Sequence, residues 1–173
     1  AARNDPAAYA AYWRHIVTAM RSVPGQAFRF VWCPSAAYMR WDASQAWPGD
    51  SYVNIVGVDS YDFWYNHPDA TPQSRWNFIV NSTSTTATGG LNYWATFAAA
   101  HGKPLAISEW GVANKYASIA GPNGGGGGDD PYYIQQMHSW IGAHNVAYES
   151  YMETNAPDGD HKLEGTEFPN AAS

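Results

Sequence analysis

Val53–Asp59 (VNIVGVD) is a nearly continuous apolar run that ends on a carboxylate. A run of that length reads as a strand buried on both faces, the habit of a parallel sheet. Trp47-Pro48-Gly49-Asp50 marks the turn before it. Further upstream, Ala27–Cys33 (AFRFVWC) is aromatic and β-rich, and Pro34 stops it. A long loop over 34–52 follows, with a short helical piece expected around Ala36–Met39. The chain opens on Asp5-Pro6, an N-cap followed by a first helical proline. Tyr9, Tyr12, Trp13, Ile16, Val17 and Met20 then recur at helical spacing, up to Pro24-Gly25.

Downstream, Thr71-Pro72 begins a second helix carrying Trp76, Ile79 and Val80. Ser82–Gly90 is a polar break. Leu91, Trp94, Phe97 and Ala98 resume the helical pattern up to Gly102. Leu105–Glu109 (LAISE) is the next strand. Gly111–Gly128 reads as a loop that ends in a flexible glycine run, Gly124–Gly128, without the Lys-Ser/Thr of a phosphate loop. Asp130-Pro131 caps a helix with Tyr133, Ile134, Met137, Trp140 and Ile141 on one face. Val146–Met152 is the last strand, and Asn155–Ser173 reads as loop.

Strands alternating with helices imply parallel βα units. Short buried strands with longer helices between them suit a (β/α)₈ TIM barrel. A complete barrel takes about 250 residues and eight strands. The expectation is therefore an α/β chain forming a partial barrel, with 1–173 as a single incomplete catalytic domain. Ala1-Ala2-Arg3-Asn4 leads directly into a helix start, with neither an initiator Met nor a signal peptide. It reads as a chain that begins inside a longer protein.

Charged residues are 14% of the 173 and the net charge is -6, so the basic surface that nucleic acid requires is not expected. No apolar run approaches the roughly 18 residues of a membrane span. The aromatic share is high, 16%, with 9 Trp and 12 Tyr. Flat faces with polar edges stack on the C–H faces of sugars. The single cysteine, Cys33, excludes an intrachain disulfide and a cysteine-based zinc cluster, and its apolar strand suggests a buried thiol. The histidines show no ligand spacing, so neither a metal nor another cofactor is expected. Asp158-Gly159-Asp160 lacks the rest of a calcium loop and reads as a surface turn. Asn81-Ser82-Thr83 matches a glycosylation acceptor.

In a barrel, chemistry sits where strands end. Those ends carry Trp32-Cys33, Asp59-Ser60-Tyr61-Asp62, Ser108-Glu109-Trp110 and Glu149-Ser150-Tyr151-Met152-Glu153. Glycoside hydrolysis needs two carboxylates and a sugar platform. Glu109 suits a nucleophile, with an apolar strand before it and Trp110-Gly111 after it. The plainer alternative is a strand-end Glu paired with an arginine. Trp110, Trp64 and Trp32 are candidate sugar platforms, and Trp32 reads equally as core. Glu149 and Glu153 are extra rim acids, read as hydrogen-bonding or solvated.

Residues 47–62 (WPGDSYVNIVGVDSYD) and 103–111 (KPLAISEWG) resemble glycoside hydrolase family 26, the β-mannanase type of the clan A barrels. Residues 5–15 (DPAAYAAYWRH) and Phe30–Pro34 (FVWCP) are similar to it too. The resemblance implies coverage from the fourth barrel helix to the eighth strand, roughly strands 5–8, with the first half missing. It implies a secreted, extracellular, retaining hydrolase of β-linked polysaccharide, β-mannan first, acting by double displacement. Polysaccharide or oligosaccharide is then the partner.

In that frame Glu109 matches the nucleophile, Tyr61 the tyrosine that supports it, and Asp59 an acid lining the same subsite. The family's acid/base Glu, at the end of the fourth strand, would fall before Ala1, so the chain as given is expected to be inactive alone. An aromatic platform stands near Met152 in many members. Here Tyr148, Tyr151 or Met152 are the candidates. The alternatives are a non-hydrolytic carbohydrate-binding barrel and a clan A hydrolase of β-glucan or xylan.

Overall fold

In the computed structural model, residues 2–36, 41–63, 71–82, 89–114, 125–156 and 159–173 are described. Helix α1 spans Pro6–Arg21. The Asp5 carboxylate caps it by accepting from the Ala8 N–H at 2.9 Å, and Pro6 fills a first-turn position where no N–H is needed. Val17 and Ala10 are buried, and Tyr9 and Trp13 pack against the core. The Trp13 indole N–H donates to the Tyr52 carbonyl at 3.1 Å. That bond ties α1 to the 3₁₀ turn Asp50–Tyr52, and α1 also packs against a second 3₁₀ turn, Ala43–Ala46.

Four parallel strands follow in sheet order: β1 Val31–Trp32, β2 Ile55–Tyr61, β3 Leu105–Gly111 and β4 Val146–Tyr151. Helices α2 Pro72–Asn81 and α3 Leu91–Ala100 lie between β2 and β3, and α4 Pro131–Ala143 between β3 and β4. The expected βα alternation is therefore present. Ile79, Leu91, Trp94, Tyr133 and Met137 from the helices close over Val56, Val58 and Ile107 of the sheet. Each such side chain contributes about 1.5–3 kcal/mol on burial. Among the described residues no helix is long and apolar enough to cross a membrane.

β1 is shorter than the aromatic run Ala27–Cys33 suggests. The Asn54 side chain takes the Phe30 N–H, and the Phe30 carbonyl accepts from both Asn54 and Ile55. Pairing resumes after Pro34, where Ser35 bridges Asp59. Of the helical piece expected around Ala36–Met39, residues 37–39 lie outside the described set. So do residues 83–88 of the polar break, Thr83 of the glycosylation motif and Asp158 of the acidic turn.

Two expectations are corrected. The described part of the glycine run, Gly125–Gly128, is held in place. Gly126 N–H donates to the Asn114 carbonyl, Gly127 to Asp62 and Gly128 to Ala113, and Gly126 bridges Phe63. A Cβ on Gly127 would overlap the Asp62 carboxylate, and one on Gly126 the Ala113 carbonyl. These glycines serve close backbone approach. Gly127→Ala should therefore destabilise the fold by about 1–3 kcal/mol in urea unfolding. A change within about 0.3 kcal/mol would mean that the loop gives way freely.

The tail is also more than loop. β5 Asn155–Ala156 and β6 Gly159–Asp160 form an antiparallel pair. Phe168 and Ala171 enter the core, and the Asp129 carboxylate accepts from the Asn170 and Ala171 N–H groups.

Candidate active site

Period-two alternation sends one side of each strand toward the helices and the other to the open face. Asp59 and Glu109 are register partners on β2 and β3, with an irregularity in the ladder just before them. The Tyr61 hydroxyl, at the end of β2, donates to Glu109 Oε2 at 2.9 Å. Such a bond aims the carboxylate. The Cys33 thiol donates to Asp59 Oδ1 at 3.1 Å. Desolvation pushes Asp59 up to about 6; the Cys33 bond opposes this and the Glu109 charge adds to it. Desolvation, followed by the Asp59 charge, also raises the Cys33 thiol and holds it protonated. The rim thus places an oriented carboxylate, a second carboxylate whose pKa burial raises, and a thiol side by side.

Behind this rim lies a buried ionic cluster. Arg75 of α2 donates through Nε to Asp62 Oδ1 at 2.7 Å and through Nη2 to Asp62 Oδ2 at 3.1 Å. Its Nη2 also reaches Asp130 Oδ2 at 2.5 Å. Asp130 Oδ1 meanwhile caps α4 by accepting from the Tyr133 N–H at 3.1 Å. Asp62 follows β2 directly, so one guanidinium locks the strand end to two helices. Two carboxylates share that cation. Burial pushes Asp62 up to about 7, Arg75 opposes the rise, and the Asp130 charge adds to it.

Asp59 and Asp62 both have folded values above the ordinary carboxylate value of 3.8. The native chain therefore holds protons that the unfolded chain releases. Stability is fully present below about pH 4 for these two groups and is lost as pH rises through about 6 and 7. Urea midpoints should fall between pH 5 and pH 8. A midpoint that rises over that interval would contradict the assignment.

Residues 1–99, more than half of the 173, match the glycosyl hydrolase family 26 description. The chain belongs to glycosyl hydrolase family 26. The family 26 match takes in α1, β1 and β2, with Asp59 and Tyr61, and ends before Glu109. Among solved structures, the chain is similar to a modular endo-beta-1,4-mannanase from Cellulomonas fimi. The identity is 22% and the TM-score 0.63, over 98% of this chain and 36% of that one. It is also similar to the catalytic domain of a Bacillus sp. JAMB-750 endo-beta-1,4-mannanase, at 21% identity and TM-score 0.60, over 90% and 37%. The chain thus spans about a third of these chains' length. At such identities the likeness carries the fold, a portion of a family 26 barrel. No curated protein matches the chain.

The structure brings Glu109, Tyr61 and Asp59 together at the ends of β2 and β3. It separates them from two of the expected platforms. Trp110 is 2% exposed because it follows Glu109 on the strand and so points to the helix side. There its ring meets Tyr133, His138 and Tyr151, and its indole N–H donates to Glu149 Oε2. Trp32 is 3% exposed, packed against Trp47, Trp94 and Phe97. Neither has an open face for a sugar, so both are core residues. The same alternation corrects Cys33, which is exposed on the open side. Trp64 lies outside the described residues.

Tyr151 is half-buried and acts as a strut. Its hydroxyl donates to the His161 carbonyl at 2.8 Å and accepts from the Val112 N–H at 3.3 Å. Desolvation, first of all, raises its phenol. Tyr148, 41% exposed, has its hydroxyl 3.5 Å from Ser108 Oγ and keeps an open ring. Glu149 is engaged by Trp110, and Glu153 accepts from the Leu163 and Glu164 N–H groups. None of the ion pairs formed by the described residues joins Glu109 to an arginine. Among the described residues no group of three or more His, Cys, Asp or Glu forms a metal site. Sequence reasoning missed Arg75, Asp130 and His161. Only the Asp130-Pro131 helix start gave a local signal, and it concerned capping.

Proposed function

We propose that this chain carries the nucleophile half of a retaining glycoside hydrolase acting on β-linked polysaccharide, β-1,4-mannan first, outside the cell. The observation that carries the reading is the Tyr61–Glu109 bond at the C-terminal rim of adjacent parallel strands in a family 26 chain. The two mannanases of similar fold support the choice of sugar.

In the first displacement a Glu109 oxygen attacks the anomeric carbon while a general acid protonates the departing glycosidic oxygen. A covalent glycosyl ester forms and the leaving sugar departs as an alcohol. In the second, water loses its proton to the same acid/base group and attacks the anomeric carbon. Glu109 leaves as carboxylate, and two inversions give net retention. The Tyr61 hydroxyl stabilises that carboxylate before attack and on departure.

Glu149 and Glu153 are held by Trp110 and by the tail. The reading therefore takes the acid/base from a carboxylate of the barrel's fourth strand, outside residues 1–173. Residues 1–173 expressed alone should then be inactive. In the assembled site the exposed Tyr148 ring is the better placed eighth-strand platform.

The test is to offer the intact protein β-1,4-mannan, xylan and β-glucan oligosaccharides and to follow the first product's anomer by proton NMR. Mannan cleavage giving the β-anomer first is expected. An α-anomer would reject double displacement. Binding without cleavage would favour a carbohydrate-binding barrel, and faster cleavage of xylan or β-glucan would move the substrate.

A further inference from the structure

His161 is 2% exposed, and it reaches the rim from the far end of the chain. The β5–β6 pair delivers it. Asn114 donates from its backbone to the Asp160 carbonyl at 3.0 Å and from its side chain to the Asp160 carboxylate at 3.3 Å, docking the hairpin onto the extension of β3. The Glu153 carboxylate then grips the Leu163 and Glu164 N–H groups at 3.0 and 2.8 Å, just past His161. His161 Nδ1 lies 2.7 Å from the Val112 carbonyl, so that nitrogen carries the proton and donates. The Tyr151 hydroxyl fixes the residue's own carbonyl.

Held at these points, the imidazole lies against one side chain of the site, its plane tilted 50° to that ring. Its centroid is 4.9 Å from the Tyr61 ring and 6.3 Å from Phe63, and Phe63 is itself 5.5 Å from Tyr61. Tyr61 thus sits against a wall of two rings, and its hydroxyl points at Glu109. A phenol free to swing would sample positions where that bond is broken. Orientation errors of about 1 Å at such a contact cost about 100-fold in rate.

We propose that His161 is a positioning residue for the reaction: its ring fixes Tyr61, and through Tyr61 it aims the Glu109 carboxylate. The tail after the last barrel strand is then part of the site's scaffold. The inference rests on the reading of Glu109 as nucleophile.

Two substitutions separate the ring from the hydrogen bond. His161→Phe keeps an aromatic face and loses the donor to Val112. His161→Gln keeps a donor and loses the ring. In the intact protein, with kcat measured per folded molecule, Tyr61→Phe should lower kcat by about 10- to 100-fold, the worth of a hydrogen bond to a charged group. His161→Gln should lower kcat by roughly 10-fold with little change in KM. His161→Phe should stay within about 3-fold of the parent. In the Tyr61→Phe background there is no hydroxyl left to aim, so adding His161→Gln should cost nothing more.

An equal loss from His161→Gln in both backgrounds would make His161 merely structural and overturn the proposal. Equal losses from the Phe and Gln variants, or no loss from Gln, would do the same. If the unaltered protein cleaves no β-glycan, the reading of Glu109 falls and takes this inference with it. Normal cleavage with the wrong variant pattern counts against His161 alone.

Discussion

Glu109→Ala in the intact protein is expected to cut mannan hydrolysis by about 10,000-fold or more, the scale on which loss of a covalent nucleophile is felt. The side chain is exposed on the rim, and its hydrogen bond to Tyr61 is a surface bond. Removing it opens no cavity, so the unfolding midpoint should shift by no more than about 0.5 kcal/mol in equivalent stability. The combination matters: activity disappears and the fold does not. The space left beside the anomeric carbon should also admit azide. Restored turnover with azide, giving a glycosyl azide of inverted configuration, would identify the missing group as the nucleophile. Turnover near that of the parent would place the chemistry elsewhere on the rim.

Arg75→Met is expected to destabilise the fold by about 3–5 kcal/mol, because it leaves Asp62 and Asp130 buried with no cation between them. The three side chains are 7%, 1% and 3% exposed, so water cannot substitute for the guanidinium. Breaking the cluster should cost more than removing it. Asp62→Leu with Arg75→Met and Asp130→Ser replaces the cluster by apolar packing and keeps a capping hydroxyl for α4. That triple variant should lose less stability than Arg75→Met alone. Urea unfolding checks both values. A loss under about 1 kcal/mol for Arg75→Met would show that the cluster is solvated in practice.

The parallel βα order was legible because Val53–Asp59 and Leu105–Glu109 are apolar runs of strand length between helices of clear periodicity. That Glu109, Tyr61 and Asp59 stand together was legible because all three lie at the ends of neighbouring strands. The two platform errors came from reading rim residues as a set. Outside the irregularity that turns Ser108 and Glu109 to the same side, adjacent strand residues face opposite ways, which sets Trp110 opposite Glu109 and Trp32 opposite Cys33. Applying the period to each pair would have put both tryptophans in the core and Cys33 on the open face. The Arg75–Asp62–Asp130 cluster joins residues 13 and 55 positions apart, with no periodic trace in the chain. The glycine run looked flexible because sequence shows a missing side chain but not the carboxylate or carbonyl that requires it. His161 sits beside a hairpin with two-residue strands, too short for any alternation to show.

Covalent trapping identifies the residue that attacks the anomeric carbon. The intact protein would be incubated with 2-deoxy-2-fluoro-β-mannosyl fluoride, digested and mapped by mass spectrometry. One added fluoromannosyl group per molecule is expected, on the peptide carrying Glu109 and absent from the Glu109→Ala variant. A label on Asp59, Glu149 or Glu153 would contradict it, and so would continued mannan turnover with no labelled peptide.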